Sequence, residues 1–240
     1  MRPGVAHVFF AHAERLLASA PDFRRWLSLP EREHAERFRQ PGHGAQYRAT
    51  RVLVRGVLGG LLGRPPQALD FVLHPHGRPA LRPGTAALDF NASRSRASVA
   101  LVVTSGEACG VDVEDTSRTV DVLSIARTFA PAERALLQAS AGEERQLHFF
   151  QLWTLKEATL KALGTGLTLS LGACAFQLQP SGPPSVTFGG GLQEAPEAWC
   201  FLQRAVDSTH LVAVAVRSAQ PLAFVFHDDA ETCAAVGGVP

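Results

Sequence analysis

The chain has 240 residues, a formal net charge of +1 and a mean hydropathy of +0.04, and 46% of its residues are hydrophobic. This length allows one large domain or two lobes of roughly 110–120 residues. The near-neutral charge excludes partners held by bulk charge, such as nucleic acid or an anionic membrane surface, and we expect no membrane-spanning segment. Four cysteines without a CxxC spacing are typical of free thiols in a reducing compartment, so we expect a cytoplasmic protein.

The spacing of apolar residues predicts both helices and strands along the chain. The helical period predicts helices at 14–27, 30–39, 46–62, 122–129, 132–138 and 146–163. Alternating or short apolar runs predict strands at 5–10, 71–74, 88–91, 98–104, 110–114, 174–178, 199–204 and 211–216. After residue 221 we expect an edge strand at 224–226 and an end that frays from 234.

The order of these elements repeats. The long helix ending at 62 and the short strand after it are echoed by the long helix ending at 163 and its following strand. This predicts an α+β fold, a pseudo-two-fold arrangement of two similar lobes that each combine helices with a small antiparallel sheet. The predicted division is an N-terminal lobe at 1–105, a C-terminal lobe at 106–220 and a tail at 221–240.

The helix at 146–163 holds the only two lysines, Lys156 and Lys161, in a chain with 23 lysines and arginines together. Glu157 and Lys161 are i,i+4 neighbours at the edge of its apolar stripe. A compact ammonium can reach one phosphate oxygen, so the two lysines indicate a local anion site. An ordinary surface ion pair is the alternative.

Asp112 and Glu114 lie two residues apart on a predicted strand, so their carboxylates point to the same face. Two oxygen ligands with open positions suit Mg²⁺, which leaves its remaining positions to water and phosphate. A solvent-facing strand edge is the alternative for so short a pattern.

Other segments carry weaker signals. The segment 90–96, with Ser93 and Arg94, reads as a polar turn after a strand that can present donors to a phosphate. The turn at 76–79 and the arginines of the helix at 46–62 have a solvated surface as their alternative. The helical segment after the metal strand offers Phe129, Leu136 and Leu137 as an apolar groove for a partner helix, with an ordinary core role as the alternative.

Taken together, three motifs in this order resemble the signatures of the Sfp-type 4′-phosphopantetheinyl transferases. They are F-N-x-S-x-S from 90, G-V-D-V-E from 110, and F-x-x-x-W-T-L-K-E-A-x-x-K-A-x-G-x-G-L from 149 to 167. The H-G-R-P turn at 76–79 is similar to that family's G-K-P segment, and Tyr47, Arg51 and Arg55 match its early helix motif. The resemblance runs from about residue 30 to 167 and agrees with that family's pseudo-dimeric α+β fold. The chain departs from it at Arg94, where the family usually has His, and at Thr165, where it often has Lys.

The resemblance implies transfer of 4′-phosphopantetheine from coenzyme A to a serine of an apo acyl or peptidyl carrier protein, leaving adenosine 3′,5′-bisphosphate. By position, Asp112, Glu114 and Glu157 would bind Mg²⁺ or Mn²⁺. Glu157, or a water that it orients, would take the serine proton, and Lys161 would neutralise the pyrophosphate.

The implied coenzyme A contacts are Arg32, His34, Arg51, Gly77, Arg78, Pro79, Ser93, Arg94, Lys156 and Lys161. In this assignment the N-terminal lobe contributes to coenzyme A binding, while the C-terminal lobe holds the metal site and the docking groove. We expect a monomer. Another Mg²⁺-dependent phosphotransferase and a non-catalytic carrier-binding homologue are the alternatives.

Overall fold

The computed structural model of the chain describes residues 2–165, 169–179 and 182–239. It divides into two compact units, which we call unit 1 (residues 1–106 and 223–240) and unit 2 (residues 107–222). Each unit packs helices on a largely antiparallel sheet, which confirms the predicted α+β class. Gly166 and Leu167 of the third motif lie outside the described residues. Among the described helices, none has both the length and the apolar character that crossing a bilayer requires.

The first part of unit 1 contains three helices and five strands. Its helices are α1 (Ala13–Ser19), α2 (Leu29–Glu36) and α3 (Pro41–Leu62), and its strands are β1 (Val5–His12), β2 (Phe71–Leu73), β3 (Pro79–Leu81), β4 (Asp89–Ser95) and β5 (Ser98–Thr104). The strand β5 pairs antiparallel with both β1 and β4, and β2 and β3 form a separate hairpin. One face of the β1-β5-β4 sheet packs with α3 in the hydrophobic core of unit 1.

Unit 2 repeats this element order. Its helices are α4 (Val122–Ile125), α5 (Pro131–Ala139) and α6 (Gly142–Leu163), and its strands are β6 (Cys109–Asp115), β7 (Cys174–Gln177), β8 (Ser185–Phe188), β9 (Trp199–Ala205) and β10 (His210–Arg217). The strand β10 pairs antiparallel with β6 and β9, as β5 does with β1 and β4, and β7 and β8 form the hairpin. The predicted repeat of element order is therefore present.

Three predictions of local structure are wrong. The helix predicted at 14–27 ends at Ser19 and is followed by one 3₁₀ turn at Phe23–Arg25. The polar turn predicted at 90–96 is instead the body of β4, because every residue from Asp89 to Ser95 is in register with β5. The end predicted to fray from 234 lies partly in a helix, described next.

The C-terminal segment folds into unit 1 as β11 (Ala223–His227) and α7 (Asp229–Gly237). The strand β11 pairs parallel with β1, as the predicted edge strand. The helix α7 is capped by the Asp228 side chain, and Val236 on it is fully buried against Gly56 of α3. The capping box begins this helix, and burial of Val236 against α3 adds the tertiary packing that a nine-residue helix needs.

Each unit contains a buried ionic cluster at an equivalent place. In unit 1, the Glu31 carboxylate on α2 accepts from the Ser28 N–H at 2.8 Å and from Arg55 Nε at 2.9 Å. Arg55, on α3, also donates to the carbonyls of Pro66 and Leu69, at 2.8 and 3.0 Å. We call this the Glu31 cluster; it ties a short helix, the long helix and the following 3₁₀ turn together.

The Glu133 cluster of unit 2 has the same plan. The Glu133 carboxylate on α5 accepts from the Ala130 N–H at 2.8 Å and pairs with the Lys156 ammonium at 2.8 Å. Lys156, on α6, also donates to the carbonyls of Leu171 and Cys174. Lys156 lies eight residues before the left-handed glycine that ends α6, as Arg55 does in α3.

We predict that the Glu31 cluster makes the stability of the chain pH-dependent. Burial raises the pKa of Glu31, but Arg51 and Arg55 outweigh it, so the pKa lies below the ordinary value of 4.5. A lowered pKa means stabilisation that is complete above about pH 4.5 and lost as pH falls through the folded-state pKa. At pH 7 Glu31→Gln should lower the free energy of unfolding by about 3–5 kcal/mol, since the buried Arg55 loses its counter-charge.

The measurement is urea unfolding of wild type, Glu31→Gln and Glu33→Gln between pH 3 and pH 7. Glu33 is the matched control, because it lies on the same helix in an exposed pair with Arg37. The difference between wild type and Glu31→Gln should shrink as pH falls, while Glu33→Gln should follow wild type throughout. A pH-independent difference would contradict the prediction.

Candidate active site

The candidate site lies in unit 2, where α6 crosses β6. The alternation of β6 places Gly110, Asp112 and Glu114 on the face that packs against α6. On α6, Trp153, Glu157 and Lys161 follow one another at four-residue spacing and therefore share one side of the helix. Two rows of side chains, one from each element, thus face each other.

A glycine lets the two elements approach closely enough for this. A Cβ atom at Gly110 would lie 2.0 Å from the Ala158 carbonyl oxygen and 2.6 Å from the Ala162 backbone nitrogen. Both distances are far inside van der Waals contact, and both partners are helix backbone. The small side chains of Ala158 and Ala162 are themselves buried, so strand and helix pack backbone to backbone at this point.

The charged groups of the site are connected by short contacts. Lys161 Nζ donates to Asp112 Oδ1 at 2.6 Å and to the Val111 carbonyl at 3.1 Å. Glu114 Oε1 accepts from the Trp153 indole N–H and pairs with the Arg118 guanidinium, both at 3.0 Å. Asp112 is only 5% exposed, so water solvates its carboxylate poorly and the Lys161 ammonium compensates its charge.

Glu157 completes a group of three carboxylates. Burial raises the pKa of Glu157 above its ordinary value of 4.5, the Asp112 and Glu114 carboxylates raise it further, and Lys161 opposes them. The charges of Asp112 and Glu114 act on Glu157 because α6 faces β6 at this point. Asp112, Glu114, Glu157 and Lys161 therefore lie on the facing sides of one strand and one helix.

The structure places Lys156 away from this group. Its side chain is 0% exposed, its ammonium is held in the Glu133 cluster, and its Nζ lies 4.9 Å from the centroid of the Phe129 ring. The expectation that Lys156 contacts coenzyme A is therefore wrong, because no part of the side chain reaches the surface. The thiol of Cys174 beside it is also buried, which raises its pKa to about 11.

Several residues predicted to contact coenzyme A lie in unit 1. Arg51 donates to Glu31 Oε1 at 2.6 Å and lies over the Phe71 ring, so it extends the Glu31 cluster. Arg78 is also engaged: its Nη2 contacts both oxygens of Asp89 and the Phe90 carbonyl, at 2.8–2.9 Å. These bonds fasten the β2–β3 hairpin to β4.

The remaining unit 1 residues differ in exposure. Gly77 is exposed in the hairpin turn with a φ of +79°, and Pro79 begins β3 half-buried. Arg32 and His34 are exposed on α2, and the His34 ring lies 4.7 Å from the ring of Tyr47.

Ser93 and Arg94 are neighbours in the middle of β4 rather than in a turn. Successive side chains of a strand point to opposite faces, and here Ser93 is buried while Arg94 is exposed. The two side chains therefore cannot hold one phosphate from the same face of the sheet. The assignment of each residue to the phosphates of coenzyme A stays a prediction.

Two of the three residues predicted to line a docking groove, Phe129 and Leu137, are buried. Phe129 is 2% exposed and Leu137 0%, and both belong to the core of unit 2, where Phe129 stacks on Phe149. Only Leu136 is partly exposed. The core alternative is therefore correct for Phe129 and Leu137.

Comparison with known proteins gives the family of the chain. Residues 108–215 match the family described as the 4′-phosphopantetheinyl transferase superfamily (ACPS). The chain is similar to the 4′-phosphopantetheinyl transferase HetI of a Nostoc species, with 36% identity over 81% of this chain and 80% of that protein. The chain belongs to the 4′-phosphopantetheinyl transferase superfamily. It is an enzyme that transfers 4′-phosphopantetheine from coenzyme A to a serine of a carrier protein.

The chain is also similar to a further transferase and, in part, to a solved structure. A 4′-phosphopantetheinyl transferase of Bacillus subtilis is 26% identical over 89% of this chain and 92% of that protein. A solved structure of holo-[acyl-carrier-protein] synthase from Thermotoga maritima aligns with a TM-score of 0.37 and 24% identity, over 47% of this chain and 64% of that one.

Three further residues contribute to the candidate site. Gly110 precedes Asp112 by two residues on the same strand. A glycine inside a strand is a signal that another backbone approaches the strand closely. Trp153 packs against the core of unit 2 and also donates to Glu114; its four-residue spacing from Glu157 is the signal for this second role. Arg118 gave no signal, since it follows the strand β6 in a loop.

We predict that Gly110→Ala separates α6 from β6. The added methyl group overlaps helix backbone, so the helix must shift and carry Glu157 and Lys161 away from Asp112. We expect destabilisation of about 1–3 kcal/mol and a loss of transfer activity on the order of 10²-fold. Both are measured on the same preparation, by urea unfolding and by the mass increase of an apo-carrier protein.

Gly189→Ala is the matched control, because Gly189 lies in unit 2 with nothing within 4 Å of the added atom. Its activity and unfolding midpoint should equal those of wild type. Wild-type turnover in Gly110→Ala would show that the close helix–strand contact is not required.

Proposed function

We propose that the three carboxylates of unit 2 bind a divalent cation, Mg²⁺ or Mn²⁺, and that transfer leaves adenosine 3′,5′-bisphosphate. The observation that carries the proposal is the convergence of Asp112, Glu114 and Glu157 beside Lys161 in a chain of this family. The carrier is an acyl or peptidyl carrier protein, and the enzyme acts as a cytoplasmic monomer.

The residues present fit a hard divalent cation. Carboxylate oxygens are the ligands that Mg²⁺ and Mn²⁺ prefer. Burial and the charges of Asp112 and Glu114 raise the pKa of Glu157, and a divalent cation bound to these carboxylates would offset both effects. Trp153 and Arg118 donate to Glu114 and so orient its carboxylate, as the outer groups around a metal ligand commonly do.

Bound there, the cation would supply positive charge to the pyrophosphate of coenzyme A and to the leaving bisphosphate. The protein's own groups do the rest. Glu157, directly or through a water that it orients, accepts the proton of the carrier serine, and its raised pKa favours this role at neutral pH. The serine oxygen forms a bond to the β-phosphorus, and the bond from that phosphorus to the bridging oxygen breaks. Lys161 contributes the second local positive charge.

For unit 1 we propose that Arg94 binds a phosphate of coenzyme A. Arg94 is exposed, and its neighbourhood is both cationic and aromatic. Burial raises the pKa of the Tyr47 hydroxyl, while the positive charges of Arg51 and Arg94 oppose that rise. His34 contacts the Tyr47 ring and, with Arg32, is the proposed contact of the 3′-phosphate. Gly77 and Pro79 are the proposed adenine contacts, with Arg78 as their support.

The metal proposal predicts that each carboxylate is required. Asp112→Asn, Glu114→Gln and Glu157→Gln should each lower transfer on the order of 10²-fold or more, because each removes a charged ligand from a site that concentrates charge. Transfer is measured as the mass increase of an apo-carrier protein incubated with coenzyme A and Mg²⁺, without any nucleoside triphosphate. Chelation of the cation should stop wild-type transfer.

Glu143→Gln is the control for this series, since Glu143 is an exposed carboxylate in the first turn of the same helix. It should transfer at the wild-type rate. Near wild-type transfer by Asp112→Asn at limiting Mg²⁺ would rule out the metal assignment.

The Arg94 proposal predicts a change in KM for coenzyme A. Loss of a charge-assisted hydrogen bond in Arg94→Ala should raise that KM by about 10- to 150-fold, equivalent to about 1.5–3 kcal/mol. Arg94→His should recover part of the affinity, and more at pH 6 than at pH 8, because histidine is charged only near or below its pKa of about 6.5.

Arg64→Ala serves as the comparison, as Arg64 is an exposed arginine just beyond the end of α3. Its KM for coenzyme A should not change. Matching KM values for wild type, Arg94→Ala and Arg94→His at both pH values would remove Arg94 from the site.

A further inference from the structure

The two lysines of α6 differ in how firmly they are held. Lys156 is fully buried, and one carboxylate and two carbonyl oxygens bind its ammonium. Lys161 has a side chain that is 28% exposed, and the structure gives its ammonium the Asp112 carboxylate and the Val111 carbonyl. Because part of the Lys161 side chain is exposed, it can reach outward on its flexible stem, whereas the fully buried Lys156 cannot.

The partner that Lys161 holds is the most buried of the three proposed metal ligands. This partner is Asp112: Lys161 Nζ lies 2.6 Å from Asp112 Oδ1, the distance of a strong charge-assisted hydrogen bond. A divalent cation on the same carboxylate would lie close to this ammonium. Two positive charges at such separation repel strongly where water is scarce. The ammonium and the cation therefore compete for Asp112.

We propose that Lys161 is an exchangeable counter-ion: it neutralises Asp112 until a divalent cation and coenzyme A bind, and then moves to the pyrophosphate. This inference rests on the proposed metal function and goes beyond it, because it makes one side chain serve two anions in turn. Lys161 has three N–H donors on a compact charge, which suits a single phosphate oxygen as well as a single carboxylate oxygen.

Such an exchange couples the two ligands. Coenzyme A that draws Lys161 away leaves Asp112 to the divalent cation, and the cation that displaces Lys161 leaves the ammonium to the pyrophosphate. Each ligand therefore raises the affinity for the other by the same factor, as binding linkage requires. A fixed lysine behaves differently: it weakens cation binding by the same factor whether or not coenzyme A is present.

The test is direct binding of Mn²⁺, followed through the electron paramagnetic resonance signal of free Mn²⁺. Wild type, Lys161→Met and Arg118→Gln are each titrated without coenzyme A and with saturating coenzyme A, in the absence of carrier protein so that no transfer occurs. A protein-free titration corrects for Mn²⁺ bound by coenzyme A itself. Arg118→Gln is the matched control, since it also removes one positive charge bound to a carboxylate of the site.

Without coenzyme A, Lys161→Met should bind Mn²⁺ about five-fold more tightly than wild type, or more, because the competing cation is gone. With coenzyme A that advantage should fall to about two-fold or less, since Lys161 has then already left Asp112 in wild type. Arg118→Gln should change the Mn²⁺ affinity by the same factor in both states.

Two results would overturn the inference. Equal tightening by Lys161→Met in both states would show a fixed charge, and unchanged or weaker binding without coenzyme A would show that Lys161 does not compete. Circular dichroism checks that each variant is folded, and Lys161→Gln repeats the test if Lys161→Met is not. Failure of the metal proposal is distinct: wild type would then bind no Mn²⁺, or Asp112→Asn would bind it as tightly as wild type.

Discussion

One interaction recurs in both halves of the molecule and the rest of each half depends on it. A glutamate in the first turn of a short helix caps that helix and binds a cation on the long helix, and this cation also holds two carbonyls of the next turn. Glu31 and Arg55 do this in unit 1, and Glu133 and Lys156 in unit 2. Removing one partner from such a buried pair leaves an uncompensated charge, so the cluster fixes one arrangement of three separate segments.

In unit 2 this interaction fixes the position of α6, the helix that carries Glu157 and Lys161. The Glu133 cluster fixes α6 on one side through Lys156, and the backbone contact at Gly110 fixes it on the other. Glu157 follows Lys156 directly and so is held between two fixed points. This holds the Glu157 carboxylate on the side of α6 that faces Asp112 and Glu114, where the proposed cation would bind.

The sequence predicts elements better than it predicts roles. The period of α6 and the spacing of Asp112 and Glu114 are local, so both follow from neighbouring residues. Lys156 and Lys161 look alike in the sequence because their difference is tertiary: the first meets a carboxylate contributed by α5. The segment with Ser93 and Arg94 is predicted as a turn because its composition is polar. It is a strand in the structure because it pairs with β5, and this pairing is non-local. The helix α7 is similar, since its stability comes from burial against α3.

The C-terminal segment has a consequence for how the chain assembles. Unit 2 is contiguous in sequence, whereas unit 1 needs β11 and α7, which follow it by more than a hundred residues. During synthesis the contacts that cover Gly56 of α3 and extend the sheet at β1 therefore cannot form before the residues of unit 2 have been synthesised. Until then, the first half of the protein carries an open strand edge and an uncovered apolar helix face. Closing that edge joins segments more than a hundred residues apart, so it carries the loop-closure entropy of a long chain segment.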